Sequence, residues 1–193
     1  MDFRLVAEEV LCTGSVVTMS RATIEGPAGE SFERDIVHHP GAVVVVPLLE
    51  DPTGQGSKPW VVLVRQYRAA VDAWLLELPA GKRDVAGEPP ELAARRELEE
   101  EVGMSAGRLR EIAQFYNSPG FCDEHTHLYL AQDLTPCEQS PQGVEEGHMT
   151  IERVTLDEAF DMVGRGEIVD AKTVVGITMV AFGVARESPS SRL

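Results

Sequence analysis

The sequence predicts an α/β (α+β) fold, an α/β/α sandwich around a mixed β-sheet with an N-terminal antiparallel strand unit. Apolar, β-branched runs bounded by turn residues indicate well-buried strands. The elements follow the order strands, helix, strands, helices, which is typical of layered folds. With 193 residues, 43% of them hydrophobic, the chain can bury a substantial core as one globular unit.

The first forty residues are predicted to form antiparallel strands. Apolar and polar residues alternate in VLCTGSVVTMSRATI and in FERDIVHH, and the alternation breaks at GPAG, residues 26–29. A period of two indicates strands joined by a turn. We therefore expect a strand unit over 1–40, a main domain over 41–185 and a flexible tail over 186–193.

The main domain has further strand and helix signals. AVVVVPLL and WVVLVR indicate a hairpin of central strands, and the complete set of predicted strands is 42–49, 60–65, 74–78, 109–116, 126–131 and 149–154. Proline, capping and glycine signals predict three helices. The first starts at Pro89-Pro90 and ends before Gly103, and the second opens at Thr155 and runs to about Val163. Asp170 caps the third, which runs from Ala171 to about Val184.

Composition excludes several classes of protein. The net charge of −15 argues against nucleic-acid binding, which needs a concentrated basic surface. The three cysteines lack metal-ligand spacing, which favours reduced thiols. No apolar run reaches membrane-spanning length, so we expect a cytoplasmic protein without a membrane partner.

The mid-chain helix has a concentration of carboxylates that we call the acidic ridge: Glu97, Glu100 and Glu101. These residues share one flank, beside an apolar line formed by Ala94, Leu98 and Val102. Like charges at these spacings repel, and carboxylates near a helix C-terminus oppose the macrodipole. An acidic helix alone is usually a solvated face. If the core fixes this flank, its oxygens suit Mg²⁺.

The run from Glu88 to Met104 resembles the Nudix box, G-x5-E-x7-R-E-U-x-E-E-x-G-U, where U is aliphatic. Everything from Glu88 onward fits the pattern, including Arg96 and Gly103. The departure is that six residues, not five, separate Gly81 from Glu88, and a surface loop absorbs an extra residue at little cost. The resemblance implies the α/β/α fold and hydrolysis of a pyrophosphate bridge in a nucleoside diphosphate derivative.

The resemblance also implies a metal site holding Mg²⁺, with Mn²⁺ as a possible substitute. Carried over by position, Glu97 and Glu101 are the principal ligands, joined by the Ala80 carbonyl and by Glu100. Gly81, Glu88, Arg96 and Gly103 take structural roles. Arg96 is expected on the other side of the helix, paired with Glu88, and a solvated surface arginine is the alternative.

Features outside the box point to the substrate. YNSPG places Pro119 fifteen residues after Met104, and Nudix enzymes acting on ADP-ribose carry a proline at about that distance. QYR at 66–68 and WLLELPAG at 74–81 also resemble bacterial ADP-ribose pyrophosphatases. This implies conversion of ADP-ribose to AMP and ribose 5-phosphate by a homodimer, with the N-terminal strands contributing to the partner's nucleobase site.

Other interpretations stay open. SPG alone is a turn signal. The same chemistry would serve another nucleoside diphosphate sugar, such as GDP-mannose or UDP-glucose. A Nudix-like protein that senses ADP-ribose without hydrolysing it is a third reading, although the box glutamates are all present and no DNA-binding module follows the last helix.

In the ADP-ribose pyrophosphatases that this sequence resembles, a glutamate on a loop distant in sequence from the box deprotonates the attacking water. The polar loop QSPQGVEEG, residues 139–147, offers Glu145 and Glu146, and we choose Glu146. Two solvated loop acids are the alternative. His148 is a weaker candidate, because it has no carboxylate partner at a fixed spacing.

The substrate's phosphates and sugars need cations and an aromatic slot. Arg68 is the best candidate for phosphate, followed by Arg65 and Arg34, each against a surface-charge alternative. Phe32 or Trp74 could hold adenine, although buried packing is the more ordinary role for either ring. The cluster Asp123, Glu124, His125 and His127 is assigned no metal, because HTH in an alternating strand indicates an exposed face.

Overall fold

The computed structural model describes residues 2–50, 58–140 and 147–183. In these ranges the elements are β1 Arg4–Thr13, β2 Thr18–Glu25, β3 Ser31–His38, β4 Ala42–Leu49, β5 Trp60–Arg68, β6 Ala73–Glu77, β7 Ala80–Lys82, α1 Pro90–Val102, β8 Met104–Tyr116, β9 His125–Pro136, β10 Thr150–Thr155, α2 Leu156–Gly164 and α3 Ala171–Ala181. No helix within the described part of the chain is both long and apolar enough to cross a bilayer.

The N-terminal strands form a separate antiparallel sheet in the order β1-β2-β3, which confirms the predicted unit. All of β1 is exposed, including the apolar side chains of Leu5, Val6 and Val10. The end of β3 joins the main domain, because Val37 N donates to the Phe121 carbonyl at 2.7 Å and Asp123 N donates to the Val37 carbonyl at 3.1 Å. The turn before β9 therefore links the two sheets.

The main sheet is mixed and has seven strands, with β4 at its centre. β4 runs parallel to β9 and antiparallel to β5 and β7. The predicted β4–β5 hairpin is confirmed, and β5 extends past the predicted end to Arg68. The C-terminal half of β5, residues 64–68, pairs with β6, whose last residue is Glu77.

Alternate residues of β4 face opposite layers, which makes the sandwich. Val44 and Val46 pack in the core that includes Leu156 of α2 and Ile177 of α3, with Leu63 and Leu128 from the neighbouring strands. The odd-numbered valines of β4 pack in a second core against the apolar line of α1. Both faces of β4 are therefore covered, as expected for a run of consecutive apolar residues.

Helix α1 begins and ends where the local signals predicted. Pro90 occupies the first turn, where its missing N–H costs nothing, and Gly103 terminates the helix with φ 62°. The segment before the helix differs from the predicted glycine loop. Residues 80–82 form strand β7, in which Gly81 lies opposite Val43 of β4. The sheet therefore fixes the first residues of the predicted loop.

The last two helices begin at the predicted caps. The Thr155 hydroxyl accepts from Glu158 N at 3.2 Å, and the Asp170 carboxylate accepts from Thr173 N at 3.0 Å. Helix α3 ends at Ala181, and Val184, its predicted end, lies outside the described residues. Strands β8 and β9 are longer than predicted, since their ladder continues from Tyr116 opposite His125 to Met104 opposite Pro136.

Candidate active site

A cavity of about 730 Å³ lies where the sheet, α1 and the start of α3 meet. Its wall includes the acidic ridge, Ala80 and Gly81 of β7, and Gln66 and Arg68 of β5. The turn after β8 adds Asn117 and Ser118, and the start of α3 adds Asp170 to Lys172. Residues that are far apart in the sequence thus surround one volume.

The acidic ridge is held in place by the core, as its position beside the apolar line predicted. Glu97 is 8% exposed and Glu101 is 3% exposed, while Leu98 between them is fully buried. The Glu101 carboxylate accepts a hydrogen bond from Ala80 N at 3.0 Å. The Glu97 carboxylate lies directly over Gly81, where an added Cβ would come within 1.9 Å of it. Strand β7 therefore defines where both carboxylates lie.

Arg96 takes a different position from the predicted one. Its guanidinium does pair with Glu88, at 3.3 and 3.2 Å, as expected. However, Nη1 also donates to Glu97 at 2.7 Å and to Glu100 at 3.0 Å, and Arg96 lines the cavity. The prediction that it lies on the other side of the helix was wrong, because the helix position fixes only the direction of Cβ and the long side chain extends from there to Glu97 and Glu100. Glu88, followed by the neighbouring carboxylates, raises the pKa of Arg96.

The donor set of this wall fits a hard divalent cation. Carboxylate oxygens on a rigid helix beside a backbone carbonyl are the ligands that Mg²⁺ prefers. Across the described ranges, no three His, Cys, Asp or Glu side chains are grouped closely enough to hold an ion by themselves. A full octahedral shell at the acidic ridge therefore also needs the Ala80 carbonyl, water or substrate oxygens.

Arg68 lies in the cavity but is already part of an ion-pair network. Its Nε and Nη2 each donate to Glu77 at 2.7 Å, and Lys172 Nζ donates to the same carboxylate. Lys172 also donates to Asp170 at 2.7 Å. Burial alone would raise the pKa of Glu77, but the hydrogen bonds from Arg68 and the charge of Lys172 outweigh it and lower that pKa. Glu77 is therefore an ionised carboxylate at neutral pH.

The other predicted substrate contacts lie outside this cavity. Arg65 pairs with Glu152 of β10 at 2.6 Å, and Arg34 lies over the Phe32 ring at 4.6 Å on the N-terminal sheet. Pro119 is exposed in the turn whose two preceding residues line the cavity. Glu145 and Glu146 lie outside the described residues.

Two aromatic and histidine expectations need correction. Trp74 is 50% exposed and packs against Tyr67 at 5.8 Å between ring centroids, so its expected burial was wrong. The HTH face is not simply exposed, because the His127 side chain is only 12% exposed and lies 2.6 Å from Glu111. Side chains from other strands and from the loop after β7, Glu111 at 2.6 Å and Arg83 at 3.5 Å, contact the His127 ring, and the sequence pattern of β9 alone could not show that.

A polar network joins the N-terminal sheet to the turn beside the cavity. His38 contacts Glu8 of β1 and Asp123 of the turn at 2.6 Å each, and fully buried Ser20 lies 3.0 Å from the same ring. The other Asp123 oxygen accepts from His39 N at 2.8 Å, and His39 lines the cavity. Hydrogen bonding to Glu8, and then to Asp123, raises the pKa of His38.

Sequence reasoning missed several residues of the site. Gln66, Asn117 and Lys172 line the cavity, and Glu77 pairs with Arg68 and Lys172. Asn117 belongs to the YNSPG run that was considered for its proline. Gln66 and Glu77 lie within the runs QYR and WLLELPAG, which were quoted for their resemblance and given no role of their own. Lys172 follows the recognised cap Asp170, so a charged residue in the first turn of an otherwise apolar helix was the available signal.

Comparisons with known proteins agree with this geometry. The family model described as NUDIX domain matches residues 38–174. The chain is 37% identical over 177 residues to an ADP-ribose pyrophosphatase of Bacillus subtilis (strain 168), covering 92% of this chain and 91% of that protein. It is 38% identical over 179 residues to an ADP-ribose pyrophosphatase of Mycobacterium tuberculosis (strain ATCC 25618 / H37Rv), covering 93% and 83%.

A solved structure described as an ADP compounds hydrolase superimposes with a TM-score of 0.80 at 21% identity, covering 100% of this chain and 98% of that one. At that identity the superposition supports the fold. The family model spans α1 and most of the cavity wall. With the acidic ridge buried beside β7 and two relatives above 35% identity over most of their length, the chain belongs to the NUDIX domain family.

Proposed function

We propose that this protein hydrolyses the pyrophosphate bond of ADP-ribose to AMP and ribose 5-phosphate, using Mg²⁺ or Mn²⁺. The observation that carries the proposal is that the buried carboxylates of Glu97 and Glu101, which suit a divalent cation, line the same cavity as Arg68. The names of the two relatives, ADP-ribose pyrophosphatases similar along most of their length, support the choice of substrate.

The acidic ridge and the Ala80 carbonyl would hold the divalent cation. When bound, that ion neutralises phosphoryl charge and lowers the pKa of a coordinated water. The protein's own contribution is to fix these oxygens, which the Ala80 N–H does for Glu101. Arg96 neutralises part of the charge of Glu97 and Glu100 and ties both to Glu88.

Arg68 supplies hydrogen-bond donors to the phosphate oxygens, because a guanidinium binds phosphate with directed N–H groups. We assign removal of the water proton to Glu146, with Glu145 as the other candidate. Both assignments come from the sequence, since these residues lie outside the described ranges. Loop acids of this kind often reach their water only on closure.

The N-terminal unit, residues 1–40, is proposed as a dimerisation element. Apolar side chains along β1 are 50–62% exposed at Leu5, Val6 and Val10, which is unusual for an isolated sheet. In a homodimer this unit would bring Phe32 and Arg34 to the partner's cavity to hold the nucleobase. We place the reaction in the cytoplasm, where small nucleotide metabolites are handled.

The test is hydrolysis of ADP-ribose in ¹⁸O-labelled water with Mg²⁺, Mn²⁺ or a chelator. We expect AMP and ribose 5-phosphate in equal amounts, with label in one product and no turnover with chelator. A panel that includes GDP-mannose and UDP-glucose sets the substrate preference. Faster turnover of either would overturn the choice of ADP-ribose, and binding of ADP-ribose without turnover would overturn the assignment of catalysis.

A further inference from the structure

Helix α3 brings a lysine into a buried ion-pair network beside the acidic ridge. Lys172 Nζ donates to Glu77 and to Asp170. Glu77 also accepts two hydrogen bonds from Arg68. Lys172 and Arg68 both line the cavity that contains the acidic ridge. One carboxylate therefore links two cations that come from different layers of the fold.

Burial shows why this linkage is rigid. Glu77 is 1% exposed, so its charge has to be matched by close partners. The Lys172 side chain is 13% exposed and that of Arg68 is 37% exposed. Both cations thus pair through their charged groups with a buried carboxylate and still line the cavity. A carboxylate that accepts from both at once also fixes the distance between them.

The network leaves donors for an anion. A guanidinium has five N–H groups. Among the contacts of the described residues, Arg68 uses its Nε and Nη2 groups for Glu77, which leaves the Nη1 group for another acceptor. An ammonium has three N–H groups, and Lys172 uses two of them within the described network. Because both side chains line the cavity, the remaining donors are available to an anionic oxygen bound there.

We propose that Glu77 is a positioning residue that holds Arg68 and Lys172 as a cation pair for the substrate's diphosphate, and that Lys172 contacts a phosphate oxygen directly. The proposal rests on the proposed function in needing a diphosphate substrate, but not in needing ADP-ribose. A diphosphate bridge has more anionic oxygens than ions on the acidic ridge can contact. A cation pair held on β5 and α3, two elements of the wall other than α1, would bind the others.

The first test is Lys172→Met, which removes the positive charge and keeps most of the length of the side chain. A hydrogen bond from a charged donor predicts a rise in KM of about tenfold or more, with kcat changed less than about threefold. The dissociation constant of ADP-ribose in chelator, measured by calorimetry, should rise by a similar factor. The control is Lys58→Met, because Lys58 pairs with Asp157 outside this cavity and should leave KM unchanged.

An unchanged KM for Lys172→Met would overturn the contact, and a lowered Tm with unchanged KM would show that Lys172 only fastens α3 to the sheet. The second variant, Glu77→Gln, tests the positioning role in the folded protein. If Glu77 positions the pair, KM rises although the cavity becomes more positive. If Glu77 only neutralises charge, the anionic substrate binds more tightly and KM falls, which would overturn the proposal.

Both variants are assayed with the compound that wild type cleaves fastest in the nucleoside diphosphate panel. A preference for GDP-mannose with a raised KM in Lys172→Met would reject the proposed substrate and support the cation pair. A preference for ADP-ribose with unchanged KM in both variants would support the proposed substrate and overturn the cation pair. If Glu77→Gln does not fold, Lys172→Met and its calorimetric readout decide the question.

Discussion

Replacing Gly81 by alanine is expected to disable the site while leaving the fold intact. A Cβ at this position would lie 1.9 Å from Glu97 Cδ and 2.1 and 2.3 Å from its carboxylate oxygens. Nonbonded carbon atoms prefer about 3.5 Å or more, so the carboxylate has to move by roughly 1.5 Å. The moving group is the end of a flexible side chain, so the displacement costs little stability.

The backbone adds no penalty, because Gly81 is not in the left-handed region and lies in a regular ladder with β4. Alanine at such a position reduces the entropy of the unfolded chain and can stabilise by about 0.4–1 kcal/mol. A misplacement of about 1 Å at a reacting group costs about a hundredfold in rate. We therefore expect kcat/KM to fall about a hundredfold, or about 2.7 kcal/mol, with Tm unchanged or slightly raised.

The assay is metal-dependent hydrolysis of ADP-ribose together with thermal unfolding. Gly164→Ala is the matched control, because its added Cβ meets nothing within 4 Å and lies at the end of α2. In a Glu97→Ala background the clash is absent, so Gly81→Ala should add no further loss. Wild-type kcat/KM in Gly81→Ala would refute the required placement of Glu97, and a large fall in Tm would refute the rigid-backbone assumption.

Three further predictions concern the ligands, the base and pH. Glu101→Gln should lower kcat/KM more than about a hundredfold and raise the metal concentration needed for half-maximal rate, because it removes a ligand charge; near-normal metal activation would reject the assignment. Glu146→Gln should lower kcat without changing that metal concentration, and the same effect in Glu145→Gln instead would move the base by one residue. Because the folded-state pKa of His38 lies above its usual 6.5, its stabilisation is complete below that pH and is lost as pH rises through the folded value. Wild-type Tm should therefore fall more than that of His38→Gln between about pH 6 and about pH 9, and parallel Tm curves would contradict the linkage.

The parts of the fold that the sequence predicted are those whose signals are local. Helix α1 has proline at its start, glycine at its end and an apolar line along its length, and each of these acts within a few residues. The first half of β8 was missed, because SAGR lacks alternation and is held as a strand by its ladder to residues 132–136. Pairing over a long edge can impose extended structure that propensity does not favour.

The distinction between local and long-range signals also applies to the cavity, where the acidic ridge was predictable and the ion-pair network around Glu77 was not. The acidic ridge was predictable, because helix periodicity places its three members on one flank. Arg96 was misplaced, because periodicity gives the direction of Cβ and not the path of a long side chain. The partnership of Glu77 with Lys172 spans 95 residues of sequence and depends on how α3 packs on the sheet. No local pattern contains that information.

Three cations that line the cavity, Arg68, Lys172 and Arg96, are held by carboxylates. In a chain of net charge −15, a cation on a mobile side chain would have many carboxylates to pair with. Arg68 is instead held by Glu77, Lys172 by Glu77 and Asp170, and Arg96 by Glu88. A long side chain fixed in this way has already lost its rotamer freedom, so less entropy is lost when it binds an anion. If the proposed function holds, Glu77 and Asp170 would in this way prepare Arg68 and Lys172 for a phosphate ligand, although their own charge opposes one.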